Sequence, residues 1–282
     1  MTATTDVSGV ERPIHEPRAR FRDLVAAEWL KHRSLRSTWI AHGATALAVV
    51  GLNVGTAYDT YGHWTSRVSE DRATFVRDGI ALREAFTPNA ALLMALALVA
   101  MGALVIVGEY STGTIRTTFA AVPARRSVMA AKAVVVAAVT TVFGMVVAGV
   151  SFVSTQAVLD RRDAGVSLGD PGALRVVLAS ALLAPVCALT GLAIGAVVRH
   201  SAPTLITSVV VVLVLPLFLT DDRRWSAVVG HTLPYRAWLR LVEVGHAPVA
   251  FPWSTGGAWT VYAVWVCAAC AVAVVGVHRR DQ

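Results

Sequence analysis

Apolar residues in this chain gather into six blocks separated by polar stretches, near 39–58, 88–108, 133–159, 174–198, 203–219 and 257–277. Each approaches or exceeds the roughly 20 residues that a helix, rising about 1.5 Å per residue, needs to cross hydrocarbon. The third is long enough to tilt. Apart from Arg175 at an edge, no block contains an internal Asp, Glu, Lys or Arg, and an unpaired charge at mid-bilayer costs about 2.5 kcal/mol or more. One such block also fits a soluble core helix. Six in succession predict an all-α, polytopic protein with six transmembrane helices.

The polar segments divide the rest. Residues 1–17 carry Thr2, Thr4, Thr5, Ser8, Gly9, Pro13 and Pro17 without hydrophobic periodicity, which predicts a disordered tail. Residues 18–38 predict an interfacial amphipathic helix: Phe21, Leu24, Val25 and Trp29 recur at helical spacing, with Arg22, Asp23, Lys31 and Arg33 elsewhere on the wheel. It is expected to turn into the first span around Ser37 to Trp39, and 39–282 form the six-helix domain. That first span is longer than the apolar core of a secretory signal, so it reads as an uncleaved anchor. The loop 59–87 is polar, with charges of its own and no strong helix-stop before Pro88, and suggests no task. In the loop 220–256, Leu233-Pro234-Tyr235 predicts a short helix running to about Glu243. Such a helix could dip back into the outer leaflet, a depth that Trp225, Tyr235, Trp238 and Trp253 suit, although an ordinary aromatic belt at the membrane surface would look the same. Gly51/Gly55 and Gly191/Gly195 have the spacing that lets helices approach closely, and Pro185 and Pro216 are expected to kink the fourth and fifth spans.

Composition supports this division. Hydrophobic residues make up 55% of the chain and charged ones 15%, against about 25% charged in soluble domains. The formal net charge is +7, and Lys31, Arg33 and Arg36 lie hard against the first span. The positive-inside rule then places both termini in the cytosol of a multi-pass plasma-membrane protein. The excess positive charge would draw anionic lipid, whereas nucleic acid is not expected, because no basic patch interleaved with aromatics exists. Cys187, Cys267 and Cys270 fall within spans, and no His, Asp or further Cys stands close in sequence to complete a metal set around the last two. Gly149-Val150-Ser151-Phe152 offers a serine after glycine, but His278 falls beyond the sixth span, so a buried nucleophile would lack its base.

The most informative segment joins the second and third spans. Gly113 breaks the descending helix, Thr114 can cap a short new one, and Pro123 ends it within about three turns. On that helix Ile115, Thr118, Phe119 and Val122 share one face, so an apolar stripe is left needing a partner.

The order Glu109-Tyr110, Gly113-Thr114-Ile115-Arg116, then Pro123, Arg125 and Lys132 resembles the signature of ABC-2 type permeases, the membrane subunits of a class of ABC transporters that includes drug and antibiotic exporters. The resemblance implies that the short helix is a coupling helix seated in a groove of a separate ATPase subunit. On that reading Ile115, Thr118 and Phe119 form the docking face, Arg116 pairs with acids of the partner, and Glu109 sits at the hinge. Arg125 and Lys132 flank the third span, either holding Glu109 or touching lipid phosphate, and plain positive-inside anchoring of these residues is the competing reading.

A phosphate-binding loop needs a lysine after glycine, and the only two lysines, Lys31 and Lys132, do not follow one. ATP and Mg are therefore expected on the partner, with no cofactor in this chain and no catalysis by it. The resemblance implies two ATPase copies beneath a permease homodimer or heterodimer. The uncharged spans suggest export of a hydrophobic or amphipathic small molecule such as a drug, antibiotic or lipid. The rival classes are a secondary carrier, which would normally show ionisable residues or paired broken helices at mid-membrane, and a non-transporting membrane scaffold.

Overall fold

The computed structural model describes residues 20–64, 72–219, 223–244 and 251–276. The expected tail 1–17, the end of the sixth block and His278 lie outside these residues, as do parts of both long loops. All regular structure among the described residues is helical: α1 (Phe21–Ser34), α2 (Arg36–Gly62), α3 (Arg72–Arg77), α4 (Ile80–Ala85), α5 (Pro88–Thr112) and α6 (Thr114–Ala121) lead to α7 (Arg125–Leu159). Then follow α8 (Ala173–Val198), α9 (Ser201–Phe218), α10 (Arg224–His231), α11 (Pro234–Val242) and α12 (Thr255–Gly276). Six stretches are long and apolar enough to cross a membrane, in α2, α4 with α5, α7, α8, α9 and α12.

Their outer faces carry large apolar side chains in the open, among them Leu47 at 77%, Ile206 at 64% and Phe218 at 79% exposure. Such a surface is stable in lipid and unstable in water, and the helical backbone satisfies its own polar groups there.

The core forms around α8, which packs against α5, α7, α11 and α12. Of its most apolar window 78% is buried, against 22% for α9 and for α12. Small residues set this closeness. A Cβ added at Gly102 of α5 would lie 1.9 Å from the Ala188 carbonyl oxygen, and one at Gly191 of α8 would lie 1.9 Å from that of Val99. So the Gly191/Gly195 pair is a seam within one chain. At Gly51 and Gly55 nothing lies within 4 Å, so that pair faces away from the bundle. Pro185 is absorbed inside a continuous α8, whereas Pro216 follows a π-helical segment, Val210–Val214, that interrupts α9.

Buried polar groups pin the spans to one another. Asn53 of α2 accepts from the backbone N–H of Thr87 at 2.9 Å and from its hydroxyl at 3.0 Å, and donates to Ser151 of α7 at 3.1 Å. Gln156 of α7 donates to the Ala81 carbonyl at 2.9 Å and accepts from Val166 N–H at 2.9 Å.

Two features differ from the sequence expectation. The bend after α1 comes at Leu35, in extended conformation, rather than at Ser37 to Trp39, and Trp39 Nε1 closes it by donating to the Arg33 carbonyl at 3.2 Å. The short helix begins at Pro234 as expected, but its Trp238 is not a surface aromatic. It is fully buried, donates to Ser180 Oγ at 3.1 Å and stacks with Tyr235 at 5.7 Å. The apolar face of α11 is covered by α8 and α12, so Tyr235 and Trp238 belong to the core while Trp225 stays exposed. Burial also pushes the Tyr235 phenol up to about 12.

Candidate functional site

At one end of the bundle, α1, α6 and the ends of α5 and α7 come together. α5 stops because Gly113 takes a left-handed conformation (φ 73°), which costs glycine nothing. Its N–H returns to the Tyr110 carbonyl at 3.3 Å. α6 starts at once, with the Thr114 and Thr112 hydroxyls 2.8 Å apart and the Thr118 hydroxyl donating back to the Thr114 carbonyl at 3.0 Å. It ends at Ala121, and Pro123 fills the linker before α7.

The apolar side of α6 is turned inward. Ile115 is buried in the main core. Phe119 is half-buried and packs on that core and on Leu24, Val128 and Ala131, while Thr118 is also half-buried. The surface that α6 offers outward is made by Arg116, Thr117, Ala120 and Ala121. The stripe expected to dock a partner thus already has one, supplied by α1, α7 and the rest of this chain. Arg125 lies over the Phe119 ring at 5.4 Å, and Tyr110 lies under Arg199 at 5.1 Å.

Beside α6 four charges meet. Lys132 of α7, almost wholly buried, donates to Glu109 Oε1 at 2.8 Å and contacts Glu28 of α1 directly. Lys31 of α1 closes the ring, 2.8 Å from Glu28 and 3.2 Å from Glu109. The Glu28 side chain is 6% exposed and that of Glu109 13%. Two carboxylates against two ammoniums leave the cluster neutral, which is the condition on which buried charges persist. Burial pushes the Glu28 carboxyl up, but Lys132 and then Lys31 outweigh it and hold it below the usual carboxylate range. Burial works to lower Lys31, and Glu28 with Glu109 hold it above its ordinary value.

Of the two alternatives for Lys132, the geometry shows the first: it holds Glu109. Sequence reasoning did not identify Glu28, Lys31 or Arg199. For Glu28 a signal existed, since Leu24, Glu28 and His32 stand at i, i+4 and i+8 and form the buried side of α1. A lone acid on that side requires a cation opposite.

The bundle, with a short helix slung between its second and third spans and flanked there by buried ion pairs, defines a multi-pass membrane protein. Residues 24–217 match the family model described as ABC-2 family transporter protein, and the chain belongs to that family. This is the permease component of ABC transporters, a membrane transport component that is generally not catalytic itself and normally works with an ABC ATPase partner. No curated protein matches the chain.

Proposed function

We propose that this chain is the permease subunit of an ATP-driven exporter, moved by a separate ATPase that bears on α6. The observation that carries the reading is the clamp around that helix. Glu109 at the end of α5 and Lys132 near the start of α7 are bonded to each other and to α1. A push on the exposed side of α6 is therefore delivered to two spans and to α1 together, because packed elements shift as units. The surface receiving the push is Arg116, Thr117, Ala120 and Ala121, with Phe119 seating the helix from behind.

On this reading the α6 end faces the cytosol, both termini lie there, and the membrane is the plasma membrane. ATP and Mg are bound by the partner, and two ATPase copies assemble beneath a permease homodimer or heterodimer. The cargo is a hydrophobic or amphipathic small molecule, consistent with the neutral contacts that Asn53, Ser151 and Gln156 make between spans.

Co-expression with the candidate ATPase tests the proposal. Hydrolysis by the complex is expected to exceed that of the ATPase alone, and Thr117→Trp on the exposed face is expected to abolish the gain while the chain still inserts and purifies as a single species. Full-rate transport by vesicles holding the purified chain alone, with no ATPase, overturns it. For the cargo, cells with and without the pair are compared across a panel of apolar compounds; unchanged sensitivity to all of them removes the export assignment.

A further inference from the structure

At the elbow between α1 and α2, two buried histidines stand beside the ion cluster without belonging to it. His32 is 8% exposed and His42 5%. Their rings lie 6.0 Å apart, with Trp39 at 6.0 Å from the first and Phe143 at 5.0 Å from the second. His42 Nδ1 lies 2.8 Å from the Thr38 carbonyl, which only accepts, so that nitrogen carries the proton and Nε2 is bare. The Nε2 atoms of both rings are buried and have no hydrogen-bond partner among the described residues. A box of rings tolerates a bare nitrogen far better than a charged one.

The charges around His32 come from each neighbouring element. α2 supplies His42, α7 supplies Lys132, and α1 itself carries Glu28 and Lys31, with Glu109 of α5 joined through the cluster. While His32 is neutral, two carboxylates match two ammoniums. A proton on His32 sets three cations against two acids. Glu28 is the acid placed to answer it, four residues earlier on the same buried side of α1, the spacing at which helical side chains meet. Yet Glu28 also ties α1 to α7, through Lys132.

We infer that His32 is a proton-operated release for α1: its charged form draws Glu28 into a pair within α1, and the Glu28–Lys132 tie between α1 and α7 is given up. Two further features suit this. Leu35, in extended conformation, separates α1 from α2 and supplies the hinge, and the apolar hold of α1 on α7 is a small cluster, Leu24 with Val128 and Ala131. Burial, with His42 and Lys132, holds the titration of His32 below about 6.5, so mild acid sets the release in motion. Acid thereby removes α1 from the set of elements that a push on α6 moves. That consequence rests on the function proposed above, whereas the release of α1 does not.

The test is hydrogen exchange of the purified full-length chain in neutral detergent, without an ATPase, so its failure is separate from failure of the coupling role. Wild type and His32→Phe are compared at the same pH, which cancels the intrinsic pH dependence of exchange. From about pH 7.5 to about pH 5.5 the ratio of wild-type to variant rates in α1 is expected to rise about fivefold, within the roughly tenfold per pH unit that one proton can supply. The ratio in α8 should stay constant. His32→Gln, which takes no proton in this range, should behave as His32→Phe and replaces it if the phenylalanine variant does not purify. His32→Arg, charged throughout, is expected to exchange fast in α1 already at the higher pH.

An unchanged ratio in α1 overturns the release. An equal rise in α8 makes the effect a general softening by acid and overturns it too. The same comparison made within Glu28→Gln chains should lose most of the rise; an undiminished rise there overturns the exchange of partners, and with it the inference.

Discussion

Glu109 and Lys132 flank the short helix α6 in sequence and meet across its base at 2.8 Å, so that the helix is the loop of a clasp whose buckle is an ion pair. Both partners are further bonded to α1, which makes the buckle a junction of three elements.

Removing one charge from the junction strands the others in a buried place. Lys132→Met, which leaves Glu28 and Glu109 without their main counter-charge, is expected to destabilise the chain by about 3–5 kcal/mol. The exchange Glu109→Lys with Lys132→Glu keeps a pair between those two but opposes Lys31 and Glu28 to like charges, and is expected to recover only part of the loss. Unfolding in mixed detergent, read as a double-mutant cycle, checks both; a stable Lys132→Met chain would show that the junction carries no weight.

The pH response of this end has two parts. Glu28 is held below its ordinary range, so its contribution is complete above about pH 4.3 and is lost as pH falls through the lower folded value. Lys31 is held high, so its contribution is complete below about pH 10.4 and is lost as pH rises through its folded value. Neither changes between about pH 5 and 9. His32 does: burial, with His42 and Lys132 adding repulsion, holds it below about 6.5. Its neutral form favours the fold, and stability is expected to fall as pH drops from about 6.5 through the folded value. Thermal midpoints at pH 7.5 and 5.5 should differ in wild type and converge in His32→Phe, which keeps the ring beside Trp39 and His42. Identical midpoints in wild type would remove His32 from this role.

Phe119→Asp tests how α6 is seated. The ring packs against Leu24, Val128 and Ala131 of two other helices, so a carboxylate there should lift α6 from its bed, lower stability by roughly 1–3 kcal/mol and uncouple hydrolysis from transport while insertion continues. Undisturbed transport in this variant would dissociate α6 seating from coupling.

The two glycine pairs separate packing within the chain from packing outside it. Gly102→Leu or Gly191→Leu collides with backbone at 1.9 Å and is expected to prevent accumulation of folded chain. Gly51→Leu and Gly55→Leu meet nothing and should fold normally. If they fold yet run as monomers in size-exclusion chromatography where wild type runs as a dimer, that face of α2 is the surface between copies.

Legibility in the sequence followed the range of each interaction. Gly113 and Pro123 bound α6 through local backbone effects, and both were readable. Span count followed from hydropathy, although the helices run past the apolar blocks and draw Glu84, Glu109 and Lys132 onto their ends. Lys132 was readable only as an alternative, because the face it takes depends on α7 rotation. Glu28 and Lys31 were not, since their pairing depends on where α1 folds back, and the bend lies at Leu35 rather than beyond Ser37. Trp238 was misplaced for a related reason: an amphipathic helix looks the same in sequence whether lipid or a neighbouring helix covers it. Arg199 over Tyr110 is a contact between segments some ninety residues apart and leaves no local trace.

The enclosure of α8 limits how the protein can move. A rod gripped on several sides, with glycines letting other backbones bite into it, turns only by carrying its neighbours along. The loosely held members are α2, α9 and α12, and α9 already contains a wider-wound stretch just ahead of Pro216. A stroke delivered at α6 would therefore carry α5, α7 and α8 as one body, and a labelled residue on α9 would shift against one on α8.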